Sequence, residues 1–247
     1  MTEIVPIISD LQVPFHDKRA VSAVATWVAD LGASRVACVG DVLDQTQVGQ
    51  WVKGRAGEFD GQLASSRDQA IEVMRDLRIT ELSRSNHDDR LEKYVSNHAP
   101  GLAGLPELTT EEFMGLNELG IQFHRKPSQV APGWLMMHGD EVGYSRLAGN
   151  TALSLARKVG SSVVCGHTHK VGLVHDHSSV NGRVTRKLWG FEVGNLMVQR
   201  RASYLGAGYA NWQQGVGALV IEGRDVYAVP VIIQSGRLYW EGHTYRG

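Results

Sequence analysis

The sequence predicts an α/β protein with two mixed β-sheets flanked by helices. Three observations predict it. The chain opens with a βαβ unit whose strands are apolar throughout, as strands covered on both faces are. Helical patterns dominate the front, and short strand-like runs dominate the last third. Apolar runs repeatedly stop at compact polar clusters, the place where open α/β sheets gather ligands.

Taken in order, Ile4 to Ser9 reads as a buried strand ending at Asp10. Asp17 can cap a helix in which Ala20, Val21, Val24, Trp27, Val28 and Leu31 recur at helical spacing, and Gly32 ends it. Arg35 to Val39 is the second strand, ending at Gly40-Asp41. Gln47 to Val52 reads as a short helix and Lys53 to Gly61 as a loop. Ser65 to Leu77 is a helix, and Ile79 to Leu82 is a strand ending near Asn86-His87-Asp88. Asp89 to Val95 is a short helix. Thr109 to Leu119 is another, with Glu111 and Glu112 favourably placed in its first turn. Strands follow at Ile121 to Phe123 and Trp134 to Met137, then a helix at Thr151 to Val159 and a strand at Ser162 to Cys165. The rest holds strand-like runs at Leu188 to Val193, Ala218 to Ile221 and Val226 to Ile232. There is no repeat, low-complexity tract or linker, so one domain spanning residues 1–247 is the simplest organisation.

Hydrophobic residues make up 43% of the chain and the formal net charge is -1, which gives a core-forming protein no global attraction to nucleic acid or lipid. Cys38 and Cys165 sit singly in apolar runs and read as buried strand residues rather than a disulfide pair. The N-terminus lacks a basic stretch followed by an apolar core, and no apolar run approaches the ~18 residues of a membrane span. Cytoplasmic residence is the resulting expectation.

Five polar clusters carry the chemistry: Asp10-Leu11-Gln12, Gly40-Asp41-Val42-Leu43-Asp44, Asn86-His87-Asp88, His138-Gly139-Asp140 and Gly166-His167-Thr168-His169. Carboxylate, carboxamide and imidazole ligands without thiolates suit manganese, iron, zinc or nickel, and argue against a structural zinc site. A metal pair ~3.5–4 Å apart needs a bridging ligand, which a carboxylate with its two oxygens can be.

In this order the clusters resemble the calcineurin-like metallophosphoesterases, whose pattern runs D-x-H, G-D-x-x-D, G-N-H-[DE], a His, and G-H-x-H. The resemblance runs from Asp10 to His169, about two thirds of the chain, and the strand-rich remainder is similar to the bacteriophage-encoded branch. It implies a two-sheet sandwich holding two divalent ions, manganese ahead of iron, zinc or nickel. Asp41 would bridge them. Asp10 and His169, with Gln12, would hold the first ion; Asn86, His138 and His167 would hold the second. His87 would face the substrate and protonate the leaving oxygen, with Asp88 orienting its ring. Asp44 would stand behind the ligands, and Arg90 is a further candidate for the phosphate.

Two positions depart from the family pattern. Gln12 replaces the His of D-x-H, a weaker donor that would weaken the first site. His16 could stand in for it, although an exposed position at a helix start is the plainer reading. Ser85 replaces the Gly before Asn86, with consequences for the turn there.

The implied activity is a metal-dependent phosphoesterase in which a water shared by the two ions attacks phosphorus in line with the leaving oxygen. A weakened first site disfavours the doubly charged monoester, so a phosphodiesterase acting on a nucleotide or related diester is expected. The alternatives are a DNA or RNA nuclease of the same superfamily, which the near-neutral charge does not favour, and a binding or scaffold protein whose site has lapsed. A phage-encoded protein would work in the host cytoplasm, away from membranes. Rim candidates are the Gly54 to Gly61 loop, the Asn97 to Pro106 segment, and Arg200 to Gln214 with Arg200, Arg201, Tyr204, Tyr209 and Trp212. The oligomeric state is not written in the sequence.

Overall fold

A computed structural model describes residues 2–49, 62–201 and 210–247. β1 (Thr2–Ile8) leads to α1 (Lys18–Leu31) and β2 (Ala37–Cys38). α2 (Leu63–Asp76), β3 (Glu81–Ser83) and α3 (Arg90–His98) follow. The short helices α4 (Thr110–Phe113) and α5 (Leu116–Leu119) precede β4 (Gln122–His124). Then come β5 (Ser128–Ala131), β6 (Trp134–Met136), α6 (Asn150–Val159) and β7 (Ser162–Cys165). The chain finishes with β8 (Val171–Val180), β9 (Arg183–Val193), β10 (Gly215–Glu222), β11 (Asp225–Gln234), β12 (Arg237–Trp240) and β13 (His243–Arg246).

Among the described residues the strands form two mixed sheets. One has eight strands in the order β13-β12-β11-β10-β1-β2-β3-β4, and the other has five in the order β5-β6-β7-β9-β8. β1 to β4 run parallel in the first sheet, as do β6, β7 and β9 in the second. Every loop that carries a candidate ligand therefore leaves the carboxyl end of a parallel strand, which brings the loops of both sheets to one end of the sandwich.

Three apolar clusters stack through the molecule. The largest lies between the first sheet and its helices, with Val24, Trp27 and Val28 of α1 and Met74 of α2 buried in it. A second, including Val5, Ile7, Phe191 and Leu219, fills the space between the sheets. The third sits between the second sheet and α6, around Leu153, Leu155 and Val163. Full burial of a large apolar side chain such as Trp27 or Phe191 contributes about 1.5–3 kcal/mol. The two cysteines are free and buried as expected, and burial pushes both thiols up, out of the reactive range.

α1 forms where its spacing predicts. Asp17 caps it by accepting from the backbone N–H of Arg19 at 3.0 Å and Ala20 at 3.4 Å, and Gly32 closes it at φ 58°. Other expectations are corrected. The helix read over Thr109 to Leu119 is broken into α4 and α5 by Gly115, which turns left-handed at φ 65°. The helix read from Gln47 is a 3-10 turn at Thr46–Val48, and its later residues, with the 53–61 loop, lie outside the described residues. β9 is longer than the run Leu188 to Val193 because it pairs with β8 in a hairpin closed by Asn181-Gly182, the favoured two-residue turn. β8 escaped the apolar signal because its His-Asp-His-Ser-Ser stretch faces solvent. His16 is buried rather than exposed, bridged to Met197. Among the described residues no helix is long and apolar enough to cross a membrane.

The close seat of α6 on the second sheet depends on Gly190, where an added methyl would land on the backbone nitrogen of Leu153. Gly190→Ala is expected to destabilise the protein by about 1–3 kcal/mol, read as a lower midpoint in denaturant. An unchanged midpoint would show that α6 can lift away without cost.

Candidate metal centre

The site backbone is held in unusual conformations. Asp10, Gln12, Asp41, Gln45, His167 and His169 all have positive φ, between 51° and 64°, and Gly40 and Gly139 reach 102° and 120°. Non-glycine residues there cost roughly 1–3 kcal/mol each and persist only where the surroundings over-determine them. The loops determine one another. Asp10 donates its N–H to the Gly40 carbonyl at 3.1 Å, and Gln12 donates to that of Asp41 at 3.0 Å. Gly166 is obligatory: a methyl there would fall on the Ser9 hydroxyl and the Asp10 carboxylate.

Two clusters of ligand atoms meet at Asp41. One is Asp10, Asp41 and His169, the other Asp41, His138 and His167, and within each the ligand atoms lie within 4.8 Å of one another. His169 Nε2 is 3.0 Å from Asp10 Oδ1, and His138 Nε2 is 3.2 Å from Asp41 Oδ1. Asn86 joins the second cluster, its Oδ1 2.9 Å from His138 Nε2. Gln12 reaches the centre too, donating its Nε2 to Asp41 Oδ2 at 2.9 Å.

Three buried polar atoms here have no hydrogen-bond partner: Asp10 Oδ1, Gln12 Oε1 and His169 Nδ1. Buried polar atoms are nearly always satisfied, and orphaned oxygen and nitrogen donors side by side with the carboxylate and imidazole clusters are what a cation site presents. Asp10 Oδ1 approaches His169 closely without the alignment of a hydrogen bond. The residues present fit divalent metal.

His138 makes the same point through its protons. Its Nδ1 donates to the Val39 carbonyl at 2.8 Å, which leaves Nε2 facing two acceptors, Asn86 Oδ1 and Asp41 Oδ1. Only a proton or a metal satisfies that arrangement. Burial opposes the imidazolium, but Asp41 outweighs it and raises the His138 pKa to about 10. In turn, burial would lift the Asp41 carboxyl, but His138 and His87 hold it well below the usual carboxylate range. Burial and the neighbouring His138 lower the pKa of His167.

His87 stands beside the centre, with Nε2 3.9 Å from Asp41 Oδ2 and its N–H donated to Asp41 Oδ1 at 3.2 Å. Its ring is oriented by Asp44, 2.9 Å from Nδ1, and not by Asp88. Asp88 turns the other way and accepts from Leu43 N–H at 2.9 Å, Val42 N–H at 3.3 Å and the Ser85 hydroxyl at 2.7 Å. It ties two loops together, and burial, then Asp41, raise its pKa to about 6. Ser85, at the position where the resembled pattern has glycine, accepts from the Asp41 N–H at 2.9 Å through its hydroxyl. Arg90 places Nη2 3.0 Å from His87 Nε2 and Nη1 3.5 Å from Asp44 Oδ1. Asp140 is drawn off by a two-point pairing with Arg84, at 2.6 and 2.8 Å. His16 belongs to neither cluster.

Sequence reasoning missed Asn195, whose Nδ2 donates to the His169 carbonyl at 3.1 Å and so steadies that turn. The signal was available, because Gly194-Asn195 is a sixth polar cluster at the carboxyl end of a strand. Trp212 sets its ring 4.3 Å from that of His169, which places one rim candidate at the centre, whereas Tyr204 and Tyr209 lie outside the described residues. The Gly54 to Gly61 loop lies outside them as well.

No known family profile matches the chain. It is 32% identical over 254 residues to the gene 54 protein of Mycobacterium phage D29, with 99% of each chain covered. The gene 54 protein of Mycobacterium phage L5 is 30% identical at the same coverage. Among solved structures, Vacuolar Protein Sorting 29 from Cryptosporidium parvum shares the fold, with a TM-score of 0.52 and 14% identity over 100% of this chain and 99% of that one.

Metal entry at His138 must displace the proton held there. The sign is fixed by the raised pKa: the stability that this proton gives the metal-free fold is full below pH 6.5 and is lost as pH climbs through about 10. Calorimetric titration of Mn²⁺ near neutral pH, in buffers of differing ionisation heat, is expected to show about one proton released. Release of none would place His138 outside the metal's ligands.

Proposed function

This chain belongs to one family with the gene 54 proteins of two mycobacteriophages, and on that premise we propose that it is a calcineurin-like metallophosphoesterase that hydrolyses phosphate esters at a two-metal centre. The observation that carries the reading is the shared carboxylate: Asp41 stands in both ligand clusters, with His87 against it. Asp41 would be shared between the ions. Asp10 and His169, with the orphaned Gln12 carbonyl, would hold one, and Asn86, His138 and His167 would hold the other. Manganese suits this donor set, with iron, zinc and nickel as neighbours in preference. When bound, such a pair supplies an activated water near neutral pH and neutralises charge on the phosphoryl oxygens.

The protein's own groups do the rest. Asp44 fixes the His87 ring by its Nδ1, so that Nε2 is presented on the Asp41 side. Burial works against a charged His87, but Asp41 and Asp44 outweigh it and raise its pKa, which favours uptake of a proton by the ring. Arg90 opposes that charge and, with Nη2 3.0 Å from Nε2, donates to it, so Nε2 offers its lone pair until an entering phosphate gives Arg90 a better partner and leaves Nε2 free to take up the proton it passes to the leaving oxygen. The Asp44 carboxyl, pushed up by burial but held below its ordinary range by His87 and Arg90, stays ionised throughout.

The substrate class is a phosphodiester, a nucleotide or a relative of one. Gln12 supports this, since a weaker donor in the first cluster is felt more by the doubly charged monoester. Residues 1–247 act as one unit, and the enzyme works in the cytoplasm of the host cell.

Kinetics on a bis-aryl phosphodiester and its monoester, with Mn²⁺ restored to metal-stripped protein, test the proposal. His87→Ala should lower kcat by about 100-fold or more while metal uptake persists. Arg90→Ala should act mainly by raising KM. Metal-dependent turnover unaffected by His87→Ala would remove His87 from the mechanism. No turnover with Mn²⁺, Fe²⁺, Zn²⁺ or Ni²⁺ would make this a binding protein built on a lapsed site. Restoring the family's histidine by Gln12→His should tighten metal binding and shift preference towards the monoester. An unchanged diester-to-monoester ratio would contradict the role given to Gln12.

A further inference from the structure

The turn that carries two of the proposed ligands is strained at both. His167 and His169 sit at φ 64° and 58°, a region that side chains disfavour. Thr168, between them, is wholly buried and donates its hydroxyl to Glu192 Oε2 at 2.6 Å. Glu192 is itself fully buried, on a strand flanked by Phe191 and Val193 in the apolar core.

A carboxylate in such a place is costly unless every lone pair is used. Glu192 uses them. Its Oε1 accepts from Thr151 N–H at 2.9 Å and Ala152 N–H at 3.4 Å, in the first turn of α6. That helix begins at Gly149, which has no side chain to cap it. Lys170, 1 % exposed, holds its Nζ 3.8 Å from Oε2, donates to the Ser145 carbonyl and lies 4.1 Å from the centre of the Tyr144 ring. None of these contacts reaches the ligand atoms directly.

We infer that Glu192 is a positioning residue for the metal centre: through Thr168 it pins the His167–His169 turn to the N-terminus of α6. The inference rests on reading the site as a metal centre. The second sheet and α6 form one rigid seat, since α6 packs against Gly190 on the same strand as Glu192. The turn, anchored at Thr168, hands that rigidity to His167 in one cluster and His169 in the other. Asn195 secures the carbonyl side of His169, so the turn is fixed at its middle and at its end. A preset turn binds metal without having to be ordered by it.

A role confined to capping α6 would leave metal affinity indifferent to Thr168. Glu192→Gln is a poor probe, because it strands the Lys170 charge in the core. Thr168→Val is nearly isosteric and leaves the contacts of Glu192 with α6 and Lys170 in place. Calorimetric titration of Mn²⁺ into metal-stripped protein is expected to show binding at least about tenfold weaker in Thr168→Val, with recovery in Thr168→Ser. Thr168→Ala, which adds no bulk, should match Thr168→Val, and circular dichroism of the metal-free variants should match wild type. Wild-type affinity in Thr168→Val, or a Thr168→Ser protein as weak as Thr168→Val, overturns the inference while leaving the metal centre standing. A wild-type protein that takes up no Mn²⁺ overturns both.

Discussion

The fold turns on one buried carboxylate. Asp41 is 1 % exposed, and a charge that deep is tolerable only with close partners. It is met by His138, His87 and Gln12, each delivered by a different loop. Those loops leave strands in both sheets, so satisfying Asp41 also sets how the two sheets face each other at that end. The strained backbone at Asp10, Asp41, His167 and His169 follows from the same requirement, because ordinary turns would not aim all the donors at one point.

Charge is distributed around Asp41 with a consistent logic. His138 is buried between acceptors and carries a proton that a metal would replace. His167 is pushed towards its neutral form by burial and by the charge on His138. His87 sits on the other side, where Asp41 and Asp44 raise its pKa against burial and Arg90. The surroundings of three imidazoles within one small volume thus raise the pKa of two and lower that of the third, a divergence of the kind that functional sites display.

Much of this was legible in the sequence, for identifiable reasons. Asp10, Asp41, Asn86, His138, His167 and His169 each follow an apolar run, and strand ends converge in an α/β sandwich whatever the details. The partner of His87 was not legible. Asp88 follows it in sequence, but its side chain serves the backbone of residues 42–43, and the ring instead meets Asp44 across the fold. Glu192 was hidden because it interrupts a run read as apolar strand, and the pattern of a strand does not disclose which residue reaches a helix terminus. The break at Gly115 was hidden for the opposite reason: apolar spacing continues through it while the backbone turns. Ser85, which looked like a defect in a glycine position, supplies the hydroxyl that holds Asp41 in place.

The most direct test of a shared-carboxylate centre is to follow diester hydrolysis while Mn²⁺ is added by equivalents to metal-stripped protein, with bound metal counted at each point. Two bound ions per chain are predicted, with turnover rising as the second is filled and both lost in Asp41→Asn. Full activity with a single ion bound, or an Asp41→Asn protein that still binds two, would contradict the account.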